Sequence, residues 1–279
     1  MSRKKHRKNQ EKRNASAVLR QWQLDRLERD RELPRPAPGP SEVSVVAYWL
    51  PQPGVPAAET FPFLECAIRE AWRQCGFLHT VVVAPPGPHP ELEEFAAPYG
   101  IHFEIQREPS LDPARPETAE ADANARLHER FATPWALLVR EDGFPLRPGI
   151  GSFLDDWDFV GAPRARDDWW HNMVASLFAT HLMDGGFSLR SRRLCEAVAA
   201  EWASRCASRP WRPEWESGRF CTRELPRRSL SFRSSVRLPM PWEALRFSWD
   251  ATGPFKGGVP PFGFRGARAF KWLLDNGRI

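Results

Sequence analysis

The sequence lacks several features that would assign it to a common class of protein. It has no run of about 18 apolar residues, so it predicts no membrane-spanning helix. It contains no P-loop, HExxH or GxSxG motif, and the loop after its first predicted strand is not GxGxxG, which disfavours a Rossmann oxidoreductase. Its five cysteines form no CxxC pair and no zinc-type spacing with histidine. Arg20, Asp25 and Arg26 stand where a signal peptide would have its apolar core, so we expect no signal peptide. An odd number of cysteines is then typical of free thiols in a reducing cytosol.

What the sequence does contain is an uneven distribution of charge. Residues 1–40 hold 12 Lys and Arg against five Asp and Glu, a net of +7, whereas the whole chain of 279 residues has a net charge of +5. We therefore expect a basic tail over 1–40, partly helical or disordered and ending in a Pro-rich linker, and one domain over 41–279. The tail is typical either of a solvated terminus or of an arm for nucleic acid or lipid headgroups. We expect a cytoplasmic protein, with the tail allowing peripheral contact with the inner membrane surface.

Beyond residue 40, apolar runs alternate with segments of helical periodicity. This pattern predicts strands at 43–50, 80–84, 101–106 and 135–140, with helices at 61–75, 90–99 and 117–131 between them. Strand and helix in repeated alternation favour an α/β fold with a mostly parallel central sheet flanked by helices. Ligands bind such sheets beyond the carboxyl ends of the strands, so the loops after Leu50, Ala84 and Arg140 are where we expect a site.

Two of the segments after residue 134 contain groups that could bind a ligand. Glu141-Asp142-Gly143 follows the fourth strand, where a carboxylate can hold a ribose or a divalent cation, although Asp-Gly is also an ordinary turn. Gly185-Gly186 precedes a predicted helix at 191–205. We expect its backbone N–H groups either to face a phosphate or sugar hydroxyl, or to belong to a tight turn. A short strand is predicted over 153–163.

Four ordered motifs carry a resemblance to a known family. They are Asp142-Gly143-Phe144, Phe-Val-Gly-Ala-Pro at 159–163, Gly-Gly-Phe-Ser-Leu-Arg at 185–190, and Phe-Gly-Phe at 262–264. In order and spacing, residues 43–274 resemble domain-of-unknown-function family 5672, a bacterial family whose members look like glycosyltransferases of the GT-A fold. The resemblance implies a GT-A-like Rossmannoid domain that moves a sugar from a nucleotide-sugar donor to a glycan or other acceptor.

The resemblance also implies roles in donor binding. Asp142, with Gly143 beside it, matches the strand-end Asp that binds the donor directly or through Mg²⁺ or Mn²⁺. Gly185 and Gly186 match a backbone contact to sugar or phosphate. Lys256, in a loop rich in glycine and proline, is either a second positive charge over the site or a solvated lysine.

Three residues depart from the family pattern. Asp184 stands where the family has Asn, Glu216 remains alone of an acidic pair, and Arg265 stands where the family has His. Glu216 is implied as the general base on the acceptor hydroxyl, with Asp184 as the substitute. Because Arg cannot ligate a cation, Arg265 indicates either metal-independent binding of the diphosphate or a site that has decayed.

Three classes of function therefore stay open at this point. The first is a nucleotide-sugar-dependent glycosyltransferase. The second is a catalytically degenerate relative that binds a nucleotide or carbohydrate. The third is a nucleic-acid- or membrane-associated protein that acts through its basic tail, for which binding should depend steeply on salt.

Overall fold

The computed structural model describes residues 3–30, 37–163, 183–206, 208–229, 232, 235–250 and 260–279, and six strands form its central sheet. The spatial order is β3-β2-β1-β4-β6-β5, in which β1 to β4 are parallel and β6 is antiparallel to both β4 and β5. The strands are β1 (Val43–Tyr48), β2 (His79–Ala84), β3 (Phe103–Arg107), β4 (Trp135–Val139), β5 (Phe159–Pro163) and β6 (Met183–Ser191).

Helices flank this sheet, and a small second sheet lies near the end of the chain. The helices are α1 (Arg3–Asp30), α2 (Ala57–Cys75), α3 (Pro90–Ala96), α4 (Glu117–Arg130), α5 (Arg192–Arg205), α6 (Ser217–Arg219), α7 (Leu225–Arg228), α8 (Pro241–Phe247) and α9 (Ala267–Asp275). A π-helical turn over 220–224 joins α6 to α7, and short 3-10 segments cover 97–102, 150–153 and 213–215. The second sheet pairs β7 (Ser248–Trp249) with β8 (Gly263–Phe264). The predicted fold class, an α/β domain with a mostly parallel central sheet flanked by helices, is confirmed.

The apolar runs form these strands because both faces of the sheet are covered. Val45 and Val82 belong to the core that includes Ile68 of α2, whereas the adjacent Val46 belongs to the core that includes Leu127 of α4. A strand buried on both faces has no need of polar residues at alternate positions, so β1 and β2 are nearly continuous apolar runs in the sequence, with Ser44 and Thr80 as buried exceptions.

Some predicted bounds were wrong. The helix predicted at 61–75 begins at Ala57, because Pro62 is accommodated inside its first turns. The strand predicted over 153–163 begins at Phe159, after the 3-10 segment at 150–153. The helix predicted over 90–99 ends at Ala96 and continues as a 3-10 segment.

α1 packs against the domain through its second half. Leu19 is buried, and the Arg26 guanidinium forms an ion pair with Glu70 of α2 at 2.7 Å. Asp30, at the end of α1, pairs with Arg73 of α2. The basic segment is therefore helical over its described part, while the division of the chain at residue 40 stays a prediction. None of the helices described is both long enough and apolar enough to cross a membrane.

Candidate functional site

Three segments distant in the sequence meet beyond the carboxyl end of β4. Residues 140–143 form a tight turn, in which the Gly143 N–H donates to the Arg140 carbonyl at 3.0 Å and the Arg140 N–H donates to the Gly143 carbonyl at 2.9 Å. The Gly266 N–H donates to the Asp142 carbonyl at 2.6 Å, which ties the chain after β8 to this turn. The neighbouring strand β6 contributes Asp184, since Ser188 pairs with Leu138 and residues before it extend past the end of β4.

Arg265 joins the two aspartates of this region. Its Nε lies 3.1 Å from Asp184 Oδ1, and its Nη1 forms an ion pair with Asp142. The side chain of Asp184 is 6% exposed, that of Arg265 15% and that of Asp142 36%, so the cluster opens to solvent at Asp142. Burial opposes the charge on Arg265, but the Asp184 and Asp142 carboxylates outweigh it and raise the pKa of the guanidinium above its usual value.

The Gly185-Gly186 pair lies within β6, so the prediction that it opens a helix was wrong. The helix begins at Arg192, capped by the Ser191 hydroxyl, which accepts from the Leu194 N–H. The Gly186 N–H donates to Asp184 Oδ1 at 2.6 Å. A Cβ at Gly186 would lie 2.4 Å from Arg265 Nε, so the absence of a side chain is what lets the guanidinium pack against the strand.

Arg190 explains the spacing of the Gly-Gly-Phe-Ser-Leu-Arg block. This arginine is 1% exposed, and its Nη2 donates both to the Gly185 carbonyl and to the Ser217 hydroxyl, each at 3.0 Å. Its Nε donates to the Ser188 hydroxyl at 3.1 Å. The last residue of the block therefore turns back to hold the first, and fixes β6 against the start of α6.

A narrow cleft between α4 and the sheet adjoins these glycines. Glu120 of α4 pairs with Arg140 and accepts from the Ser217 N–H at 3.0 Å. Burial disfavours the charged form of Glu120, but the Arg140 guanidinium and the hydrogen bonds from Ser217 outweigh it and lower the pKa of this carboxyl. The polar groups and backbone along the cleft come from Tyr48, Glu120, Arg140, Gly185, Gly186 and Ser217.

The cleft residues Tyr48, Glu120, Arg140 and Ser217 were missed by the sequence reasoning. An acidic residue in the first turn of a helix, such as Glu120, is favoured at that position in any protein, so it gave no separate signal. The other three stand next to predicted motifs or at strand ends, and only the packing of α4 over β4 and β6 brings them together.

The predicted site residues fall into three groups. The structure brings Asp142, Gly143, Asp184, Gly185, Gly186 and Arg265 together. Half-buried Glu216 directly precedes Ser217, one residue from the cleft. Lys256 lies outside the described residues. The roles assigned to all of them stay predictions.

The described residues around Asp142 do not fit a divalent-cation centre. Among the residues that the structure describes, no group of three His, Cys, Asp or Glu side chains could hold a metal ion. Asp142, the predicted ligand, and Asp184 instead both pair with the single Arg265 guanidinium.

The five cysteines are free, as the sequence predicted, and all of them are buried. Burial raises the pKa of Cys75 and Cys195 to about 12 and that of Cys221 to about 11. Because the thiolate is the nucleophilic form, these side chains are unreactive near neutral pH.

A known protein family matches the part of the chain that contains most of this site. The family described as protein of unknown function DUF5672 matches residues 117–264, more than half of the chain. The chain belongs to this family. The match includes Asp142, Asp184 and Glu216 of the site and ends one residue before Arg265, while α1 and β1 to β3 lie outside the DUF5672 match. No curated protein matches the chain.

Solved glycosyltransferases resemble this DUF5672 member at a distance. The mannosyltransferase PcManGT of Pyrobaculum calidifontis, solved with GDP-Man and Mn²⁺, is 12% identical with a TM-score of 0.36; the match covers 67% of this chain and 57% of that one. The mannosyltransferase Ktr4p of S. cerevisiae with GDP is 8% identical with a TM-score of 0.42, over 82% and 78%. Mouse xyloside xylosyltransferase 1 is 10% identical with a TM-score of 0.40, over 81% and 97%. At these scores the likeness carries no argument about activity.

Proposed function

We propose that the chain transfers a sugar from a nucleotide-sugar donor to an acceptor. The observation that carries the proposal is the convergence of Asp142, Asp184 and Arg265 from three segments at the carboxyl edge of the parallel sheet. This edge is where α/β sheets bind their ligands. A nucleotide sugar has a negatively charged diphosphate, which a cationic side chain can bind, and several hydroxyls, which can donate to carboxylates. A site for it therefore needs a cation and carboxylates side by side.

Arg265 is the proposed contact to the diphosphate. Its Nε and Nη1 hold the two aspartates, and its Nη2 is the nitrogen that would reach a phosphate oxygen. A fixed guanidinium there stabilises the negative charge that grows on the diphosphate as the bond to the sugar breaks. Asp142, the most exposed member of the cluster, is proposed to accept hydrogen bonds from donor hydroxyls.

Glu216 is the proposed general base. In a transfer that inverts the anomeric carbon, a carboxylate removes the proton of the acceptor hydroxyl as its oxygen attacks the sugar. Asp184 suits this role less well, because it already accepts from the Gly186 N–H and from Arg265 and has a 6% exposed side chain. The anomeric proton of the product, followed by NMR, reports inversion or retention.

The positive charge in this proposal comes from Arg265, and no step is assigned to a divalent cation. Donor binding and turnover are therefore expected to survive EDTA, with less than about a twofold change on adding Mn²⁺. A strict requirement for Mn²⁺ would reject this part of the proposal and leave the transfer itself standing.

A panel of UDP-, GDP- and TDP-linked sugars tests the proposed function. We expect one donor to raise the melting temperature and to be cleaved with release of the nucleoside diphosphate. Asp142→Ala and Glu216→Ala should each remove turnover while the protein stays folded, whereas Glu196→Ala, an exposed carboxylate of α5 paired within its own helix, should change nothing.

Each other outcome has a distinct meaning. Full activity of both Asp142→Ala and Glu216→Ala would contradict the assigned roles. Binding without release would favour a catalytically inactive nucleotide- or carbohydrate-binding relative, and no shift with any donor would reject donor binding. An anionic partner for residues 1–40 stays a separate prediction, for which the test is the salt dependence of binding to nucleic acid and to anionic vesicles.

A further inference from the structure

A buried glutamine of α1 reaches the turn that carries Asp142. Gln23 is 1% exposed, and its Nε2 donates to the Glu141 carbonyl at 2.7 Å and to the Phe63 carbonyl of α2 at 3.2 Å. One side-chain amide has two N–H groups, so both are used here. The Glu141 carbonyl belongs to the peptide that enters Asp142, and Gln23 therefore links that peptide to the body of the domain.

α1 contacts the turn on the other side of Asp142 as well. The Trp22 ring stacks on Phe144, with centroids 6.0 Å apart and planes 17° apart, and meets the Phe270 ring of α9 edge-on at 5.1 Å. The two residues of α1 thus hold positions 141 and 144, on either side of the carboxylate. The ion pairs from Arg26 and Asp30 to α2 keep α1 in place for these contacts.

Asp142 depends on this support because its own contacts are few and lie at an open edge. Its carbonyl accepts from the Gly266 N–H, and its carboxylate, 36% exposed, pairs with Arg265. The two hydrogen bonds between Arg140 and Gly143 lie within the turn, so they close it without joining it to the rest of the domain. The hydrogen bond from Gln23 to the Glu141 carbonyl joins the turn to α1.

We propose that Gln23 is a positioning residue for the Asp142 carboxylate, and that α1 is consequently part of the site rather than an appended tail. The effect on the turn follows from the contacts alone. The effect on donor binding rests on the proposed function.

Hydrogen exchange of the full-length protein tests the effect on the turn. Gln23→Met keeps the length and apolar stem of the side chain and removes both donors. We expect the amides of Gly143 and Gly266 to exchange about five- to tenfold faster, as for the loss of one or two buried hydrogen bonds. Gln21→Met, the same change on the exposed side of α1, should leave both amides as in the wild type.

A second control separates a local effect from general destabilisation. Ser191→Ala removes the cap of α5 at the opposite end of β4, so it lowers stability without touching the turn. If Ser191→Ala speeds exchange at Gly143 and Gly266 as much as Gln23→Met does at equal loss of stability, the positioning role is rejected.

Gln23→Glu adds a pH-dependent measurement that a purely structural role of Gln23 would not change. It also tests the proposal if Gln23→Met does not fold. A neutral Glu can donate one hydrogen bond to the Glu141 carbonyl, whereas a carboxylate cannot. Relative to the wild type at each pH, protection of Gly143 should be low at pH 8 and recover toward pH 5. The same ratio at both pH values would overturn the proposal.

GDP and UDP are the probes for the consequence at the site. In calorimetric titrations, the diphosphate that binds the wild type should bind Gln23→Met about five- to tenfold more weakly, and Gln21→Met with unchanged affinity. Altered exchange with unaltered binding would reject the role of Gln23 in the donor site. If neither diphosphate binds the wild type, the proposed function fails, while the exchange results still decide the effect on the turn.

Discussion

Replacing Arg265 by methionine removes the positive charge of the Asp142–Arg265–Asp184 cluster, leaves its two carboxylates, and keeps most of the aliphatic stem. At 3.1 Å, the attraction between Arg265 Nε and Asp184 Oδ1 is about 5 kcal/mol at an effective dielectric constant of ~20. Part of it offsets the cost of burying Arg265, and water reaches the cluster at Asp142. We therefore expect Arg265→Met to lower the free energy of unfolding by about 3 kcal/mol at pH 8, as for other buried charges that lose their partner.

The loss should depend on pH with a definite sign. Without Arg265, burial and the neighbouring Asp142 charge raise the pKa of Asp184 in the folded variant above its value in the unfolded chain. A carboxyl with a raised pKa destabilises the fold at high pH and is relieved as it becomes protonated. The difference between variant and wild type should therefore shrink by about half between pH 8 and pH 4.5.

Urea unfolding followed by tryptophan fluorescence measures these free energies. Arg265→Met/Asp184→Asn should regain most of the loss at pH 8, since the amide oxygen still accepts from the Gly186 N–H. Lys271→Met, which breaks an exposed pair with Asp275 on α9, should cost about 0.5 kcal/mol or less. A deficit for Arg265→Met that is equally small, or that is the same at both pH values, would refute the reasoning.

Two further predictions concern other parts of the domain. Burial opposes the charge on Glu108, but hydrogen bonds from Arg130 and Ser110 outweigh it and lower its pKa to about 2, so the stability it contributes is complete above about pH 5 and is lost as the pH falls toward 2. Glu108→Gln should therefore be less stable than the wild type by about 2 kcal/mol at pH 7, with the two converging near pH 2, as measured by urea unfolding; parallel curves would contradict this. Gly186→Ala should displace Arg265 and weaken binding of the donor about tenfold in calorimetry, whereas Gly151→Ala, where a Cβ meets nothing within 4 Å, should leave it unchanged; equal effects would contradict the packing argument.

The sheet could be predicted from the sequence because its strands are buried on both faces. The run at 135–139 is apolar throughout and the run at 43–48 is interrupted only by Ser44, so the strand signal does not depend on which elements pack on either side. The Gly185-Gly186 pair misled the sequence reasoning, because a glycine pair before a helix indicates free N–H groups. Here the two glycines leave space for the Arg265 and Arg190 side chains. A residue that is required because it is small produces no periodic pattern, so the sequence does not show this role.

The site could be predicted only where its residues stand in recognisable motifs. Asp142 and Arg265 could be named in this way, but the ion pair between them depends on the bridge between Pro145 and Gly263, which joins segments more than 100 residues apart. Gln23 could not be found at all from the sequence. Leu24 and Asp25, which follow it, are exposed, and the charge of residues 1–40 indicates a solvated tail unless the partners Phe63 and Glu141 are known.

Asp184 and Arg265, two of the departures from the family pattern that suggested a decayed site, contact each other in the structure. Relative to the family pattern that the sequence resembles, Asp184 adds a carboxylate where an amide is expected, and Arg265 adds a permanent cation where an imidazole is expected. Asp184 alone would be an unpaired carboxylate whose side chain is 6% exposed, and Arg265 alone would keep only the more exposed Asp142 as its partner. Together they form an ion pair with Nε and Oδ1 3.1 Å apart. Decay removes constraints and gives no reason for two replacements to match in charge, position and distance. The pairing instead favours a site whose electrostatics were rebuilt around a fixed guanidinium, which is the arrangement that the proposed metal-independent binding of a diphosphate requires.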